Sequence, residues 1–499
     1  MLSLSLPAAI QLRRALGAIV WACAGLVLAA PAAAQVVTMK YVLNNLGNLK
    51  GEDGAAVTAH AINEAGQVVG QSANAAGATR AFRTAPNRAI NASDDLGTLG
   101  GTFSVAYGIN NLGQVVGDSE TAIAGPVVGG IQQPNARRAF RLDPGGLMID
   151  LGTLAPTGGA NGFNNSGARG ISDGGNVVGS ATVPANSCGS ASRAFRTDPN
   201  TVIQPGYDDL STLIGFPNAG CRSSIAWGTN NTGVTVGDSA TSAATGFPNH
   251  AWRHAPYLGM TDLGTLGGRD SQAFAVNDSG EVVGQSQLSA DPVGNPFNNP
   301  HAFMSQGTLV PRRIDLGTLG GSYSSATGIN TRYPYDSQVV GAASTTGDAA
   351  FHAFLWTGNV FAGGTMVDLN TRIAANSGWE LTRARAINNK GQIVADARKP
   401  NAPFVYYAVR LDPSDAAVGV LIDSLSDAQY GLTGGQINSL TEKLTGAYNS
   451  IRQGLFKQAI NQLNAAINAV QVQVMNGRMA PATGVALTVA IQTILATLQ

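Results

Sequence analysis

Along most of this chain apolar and polar positions alternate in short runs, and the runs return in a fixed order. The clearest copy is Met260-Thr-Asp-Leu-Gly-Thr-Leu-Gly-Gly, a polar link, Gln272-Ala-Phe-Ala-Val-Asn, then Asp278-Ser-Gly-Glu-Val-Val-Gly284, with His301-Ala-Phe303 completing the round. The Leu after the Asp recurs at Leu46, Leu96, Leu151, Leu210, Leu263, Leu316 and Leu369. Seven rounds at a near-constant period signal a repeat architecture. Each round holds four runs of strand character, like Val105–Asn110, Gln114–Gly117, Arg138–Leu142 and Met148–Leu154, bounded by Gly, Asn, Asp and Pro. The first two are joined by hairpin links such as Asn63-Glu-Ala-Gly66, Asn110-Asn-Leu-Gly113 and Asn388-Asn-Lys-Gly391, where Gly takes the left-handed position of a tight loop. Round six departs, with a longer loop after Asn330.

Four strands in each of seven rounds predict an all-β repeat protein, a seven-bladed β-propeller over 35–415; the alternative is an open β-solenoid. The chain enters on a fourth-type strand, Met39–Leu46, and leaves the array on a third-type strand, Tyr406–Leu411. In a propeller these two would pair and clasp the ring.

The segments Asp-Leu-Gly-Thr-Leu-Gly-Gly, Gly-Ile-Asn, Gly-Gln-Val-Val-Gly and His-Ala-Phe resemble the HAF-repeat family of extracellular bacterial proteins, over residues 36–413. The resemblance implies an exported repeat protein and brings no established activity. Beyond Pro413 the spacing becomes helical, through Ile437, Leu440, Leu444, Ala447 and Ile451, then Leu455, Ala459, Leu463, Ala466, Ile467 and Val470. A small α-helical bundle is expected over 416–499. Its pattern resembles the FIMAH module of secreted bacterial proteins, which implies a location and no chemistry.

Residues 1–34 read as a signal peptide: Arg13 and Arg14, an apolar run from Ala15, and the small residues Ala32, Ala33 and Ala34 before Gln35. The expected location is secreted or extracellular, or the periplasm, with no membrane-spanning segment after cleavage. The whole chain has 30 basic and 30 acidic residues. Without a basic tract, nucleic acid is not the expected partner. Cleavage leaves Cys188 and Cys221, and an even pair in an exported chain reads as a disulfide. Both fall in links at the same end of the ring, where the long, variable links also gather. Variable loops on a rigid scaffold are where binding residues sit, and they also vary where nothing constrains them.

His250, His301 and His352 share one slot, before Ala-Phe or Ala-Trp, and Arg80, Arg138 and Arg193 hold it in earlier rounds. A metal ligand or proton carrier would not recur as Arg. The expected role is structural, a donor to the Asp of its own round (Asp95, Asp150, Asp209, Asp262 or Asp315) or to a backbone carbonyl. No Gly-x-Ser-x-Gly elbow, metal-ligand cluster, paired catalytic carboxylates or cofactor motif stands out. Tyr107, Trp227, Phe274 and Phe303 are expected in the core between blades, and Tyr333 and Tyr335, in the enlarged loop, are candidates for exposed binding aromatics. The leading reading is a non-catalytic binding scaffold for a glycan or cell-surface partner. Carbohydrate-active hydrolase or lyase, and structural envelope protein, are the alternatives, since fold does not decide chemistry.

Overall fold

The computed structural model describes residues 40–498 except 126, 129–130, 133–134, 156–164, 184–190, 214–221, 242–247, 257, 290–298, 308–310, 332–335, 427–429 and 454. Each round folds as a small antiparallel sheet, and the seven sheets form a ring, a seven-bladed β-propeller. Blade two is representative: an inner strand Gly100–Ile109, then Val115–Thr121, Arg137–Leu142 and the outer Met148–Asp150. Closure excludes the open solenoid. Blade seven takes Glu380–Ile387, Ile393–Lys399 and Ala402–Pro413 from the end of the array and its outer strand, Tyr41–Asn45, from the beginning, in register from Tyr41 opposite Pro413 to Asn45 opposite Val409. In blades one and three the fourth strand shrinks to single bridges at Asp95 and Asp209. In blade one a short helical turn, Ala92–Asp94, capped by the Asn91 side chain, takes its place. Local side-chain capping there competes with the ladder.

The core lies between blades. The third strands of blades one to six each place a buried aromatic at the same position, Phe82, Phe140, Phe195, Trp252, Phe303 and Phe354, and blade six adds Trp356. Beside them a serine joins neighbours. Ser324 accepts from the Ala302 N–H of the preceding blade (2.8 Å) and donates to the Gly317 carbonyl (2.6 Å). Ser104, Ser166, Ser224 and Ser271 do the same at four other boundaries.

At the hairpin-turn end two polar belts run round the ring. In the first, the amide of each inner-strand Asn donates to the backbone carbonyl at the equivalent place one blade on: Asn63 to Asn110, Asn110 to Ser172, Asn230 to Asn277, Asn277 to Asn330, Asn330 to Asn388, and Asn388 back to Asn63, at 2.8–3.2 Å. Only Ser172, which has no side-chain amide, leaves a gap. The second belt closes completely. Each backbone N–H donates to the next side chain, through Glu64, Asn111, Asp173, Asn231, Asp278, Thr331, Asn389 and back to Glu64.

The C-terminal region is four helices: α1 (Ser414–Ser424), α2 (Gly434–Arg452), α3 (Phe456–Met475) and α4 (Pro481–Leu498). α1 follows the last strand without a linker, two residues before the expected boundary. A Thr433–Gln436 capping box starts α2. Leu444, Leu463, Val470, Leu487 and Ile491 fill the bundle core, and Val42 of the clasping strand belongs to the same cluster. α4 has the length and apolarity of a membrane span, but Leu487, Ile491 and Ile494 bury one face in the bundle.

Ser324→Ala is expected to lower unfolding stability by about 1–3 kcal/mol, because it strands the buried Ala302 N–H. Denaturant unfolding followed by tryptophan fluorescence checks it.

Candidate functional site

All seven inner strands carry a β-bulge at the same place, and each bulge follows a fully buried alanine. In blade one Ala59 pairs with Gly70 and Ala61 with Val69, leaving His60 as the inserted residue. The inserted residues in blades two to four are Tyr107, Arg169 and Trp227, and in blades five to seven Phe274, Thr327 and Arg385. The alanines before them are 0% exposed in every blade, and Asn or Ser follows three residues after the bulge. So the frame repeats and the bulge residue does not. Bulges re-aim side chains, and here they send seven side chains of six kinds toward the axis. This corrects the expectation for Tyr107, Trp227 and Phe274, which are half-buried on the axis; Phe303, on a third strand, is core.

These residues touch in succession across the blades. The His60 and Tyr107 rings lie 4.9 Å apart, the Arg169 guanidinium sits 4.1 Å over Tyr107 and 6.0 Å from Trp227, and Trp227 meets Phe274 edge-on at 5.9 Å. Second-strand carboxylates back them. Arg169 reaches both oxygens of Asp118 (3.1 and 3.0 Å), the Trp227 indole donates to Asp238 (2.6 Å), and Arg385 grips Asp396 through Nε and Nη2 (2.9 and 2.7 Å). Burial, then the charges of Arg385 and Arg169, lowers the His60 pKa to about 3. That imidazole is neutral, and its buried Nε2 has no hydrogen-bond partner. Burial pushes the Asp238 carboxyl up to about 6 against the pull of Trp227 and Gln272, and raises Tyr107 and Asp118.

Blade seven breaks the pattern. In the other six blades a glycine opposes the alanine, because a Cβ there would lie 1.8–1.9 Å from an inner-strand carbonyl. Blade seven has Ala395, accompanied by a second bulge at Thr382. A cavity of 370 Å³ opens at this place, lined by Thr58, Phe351, Thr382, Arg383, Arg385, Asp396 and Tyr406. Arg383 is exposed and, among the described residues, its side chain makes no ion pair or hydrogen bond.

The slot residues lie elsewhere, between third and outer strands. His250 meets Asp262 (2.8 Å), His301 meets Asp315 (2.8 Å) and Arg193 meets Asp209 (3.1 Å); Arg80 approaches Asp95 at 4.0 Å, and no ion pair joins Arg138 to Asp150. His352 pairs with Asp368 (2.6 Å), a partner the sequence reading did not name. The other carboxylate oxygen of Asp95, Asp150, Asp209, Asp262 and Asp315 caps the turn two residues on. Cys188, Cys221, Tyr333 and Tyr335, and the tips of the longest links, lie outside the described residues. Among the described residues no three His, Cys, Asp or Glu gather as metal ligands.

No family model matches the chain, and no curated protein matches it. Solved structures similar in fold include an ulvan lyase described as a new family of polysaccharide lyase, with -[GlcA(1-4)Rha3S]- bound (TM-score 0.38, 9% identity, 74% of this chain and 94% of that one) and as a second structure (0.38, 8%, with the same coverage). Another is a putative oxidoreductase (glucose dehydrogenase) of Thermus thermophilus (0.30, 12%, 74% and 99%). These likenesses concern the course of the chain alone.

Asp238→Asn is expected to stabilise the protein at neutral pH. The folded pKa of about 6 lies above the unfolded 3.8. Ionised Asp238 therefore costs stability in full above the folded value, and the cost disappears below the unfolded one. The variant should gain about 1–3 kcal/mol at neutral pH and nothing in acid below the unfolded pKa. Urea denaturation across that pH range reads the difference.

Proposed function

We propose that this protein is an exported glycan-binding propeller that takes an acidic sugar beside the axis at blade seven. Arg383 carries the reading: an unpaired guanidinium in the wall of a cavity that also holds Arg385, Thr58, Thr382 and the aromatic rings of Phe351 and Tyr406. A guanidinium fork matches a carboxylate or sulfate bidentately, hydroxyls serve sugar hydroxyls, and aromatic faces pack on the apolar side of a pyranose. Arg385 is less available, since Asp396 already neutralises it. Export rests on the signal-like residues 1–34 and on the HAF-repeat resemblance. The helical region is the candidate for docking the ring to a partner or surface.

Arg383→Gln is expected to weaken binding of an acidic polysaccharide such as polygalacturonate about ten-fold (about 1.4 kcal/mol) without changing thermal stability. Affinity electrophoresis with polygalacturonate and a neutral glucan beside it checks this. Unchanged retardation by polygalacturonate would sink the acidic-sugar reading.

A second reading, eliminative cleavage of the bound polymer, is favoured by one observation, the neutral His60 tilted against Tyr107 and under the charges of Arg169 and Arg385. In that reaction an imidazole nitrogen takes the proton from the carbon beside the uronate carboxylate. The electron pair forms a C4–C5 double bond, the C4–O bond breaks, and the departing oxygen takes a proton from the Tyr107 hydroxyl. His60 is a weak base in the empty channel because burial, and after it the charges of Arg385 and Arg169, disfavours its protonated form. A bound carboxylate offsets their charge and raises its basicity. Growth of ultraviolet absorbance from the new double bond, lost in His60→Ala and Tyr107→Phe, is the expected result. Undiminished binding with no absorbance change leaves the protein a binder only.

A further inference from the structure

Three cavities on the long-link face lie in succession over five blades, from blade four to blade one. The blade-seven cavity shares Thr58 and Tyr406 with a second, of 300 Å³, that runs outward between blades seven and one past Gln71 and Phe404. On its other side Phe351 packs edge-on against Tyr323 (5.3 Å), whose hydroxyl donates to Gln285 (3.4 Å). Gln285 in turn lines a third cavity, of 250 Å³, between blades four and five with Gln272 and Asp270. Large apolar side chains stand along this track with no core to fill: Phe404 is 93% exposed, Phe351 52% and Tyr406 49%. Exposed rings set in a row of polar cavities mark a ligand surface.

Resting on the acidic-sugar reading, we infer that these cavities are the subsites of one open cleft that binds the interior of an extended acidic polysaccharide, with Arg383 at its centre. The Phe404 and Tyr406 rings stack sugar faces on one arm, and the Tyr323–Gln285 pair supports the other. A polymer is the occupant because the cavities follow one another over the blades and offer rings, amides and hydroxyls in turn; a single sugar would leave both arms bare. Phe404 contributes nothing to the cavity around Arg383, so the arm and the charge can be tested apart.

The experiment is titration calorimetry of the full chain with galacturonate oligomers, from the monomer to the hexamer. Affinity is expected to rise about ten-fold or more with length. Phe404→Ala and Tyr323→Phe, which keeps the ring on Phe351 and loses the hydroxyl on Gln285, should each flatten that rise and leave monomer binding unchanged, while Arg383→Gln weakens every length. Thermal midpoints confirm that each variant is folded. Binding that is equal at all lengths, or a length dependence that survives both aromatic changes, overturns the cleft and leaves the acidic-sugar site standing. Failure of every oligomer to bind the unaltered protein overturns that site and the cleft with it.

Discussion

Beside the apolar core between blades, the ring depends on hydrogen bonds that run from blade to blade. One blade of a repeat array cannot bury its apolar face without its neighbours, and charge is scarce in this chain. The second belt at the turn end shows what replaces it. Each of seven backbone N–H groups finds a side-chain acceptor on the next blade, and the seventh acceptor belongs to the first blade. Every turn residue after the inner-strand Asn or Ser must therefore carry a short or flexible oxygen acceptor. Glu64, Asn111, Asp173, Asn231, Asp278, Thr331 and Asn389 meet that demand with four kinds of side chain. The serines between blades serve the same end deeper in, tying a third-strand N–H to a link carbonyl through one hydroxyl.

With the frame held by polar links and buried alanines, the axis is relieved of structural duty. A bulge residue has no ladder partner of its own, so its side chain is free to differ from blade to blade. Rings, guanidiniums and an imidazole consequently meet in the channel, on a scaffold that does not change to accommodate them. Asp238 shows the cost of such a site: a carboxyl held in a buried place, kept there by an indole and an amide.

Much of the architecture was legible in the sequence, because the period, the hairpin glycines and the incomplete first and last rounds each have one physical meaning. Pairing of Tyr41–Asn45 with the last strand follows from that register alone. The site was not legible for the same reason. A repeat is read by what recurs, and the bulge position is the one that does not. Tyr107, Trp227 and Phe274 looked like core because strand alternation carries apolar side chains inward, and an inserted residue reverses that alternation without altering the count of apolar positions. The available signal was the varying residue between an invariant Ala and a following Gly or Ala. Asp368 was missed by the same habit, since its round reads Val-Asp-Leu-Asn, without the Gly that follows in most others.

The clasp has a consequence for how the molecule is made. Its outer strand is among the first described segments of the chain and its partner among the last of the ring, 368 residues apart where Asn44 meets Asp412. A chain emerging N-terminus first must carry Tyr41–Asn45 unpaired until the array is complete, and Val42 waits longer still for the helices that cover it. Ring and bundle thus share this strand, which closes the first and then helps to fill the second. A chain cut short within the array would expose an unpaired sheet edge, the surface on which chains stick to one another. Quality control of an unfinished molecule is built into where its first strand goes.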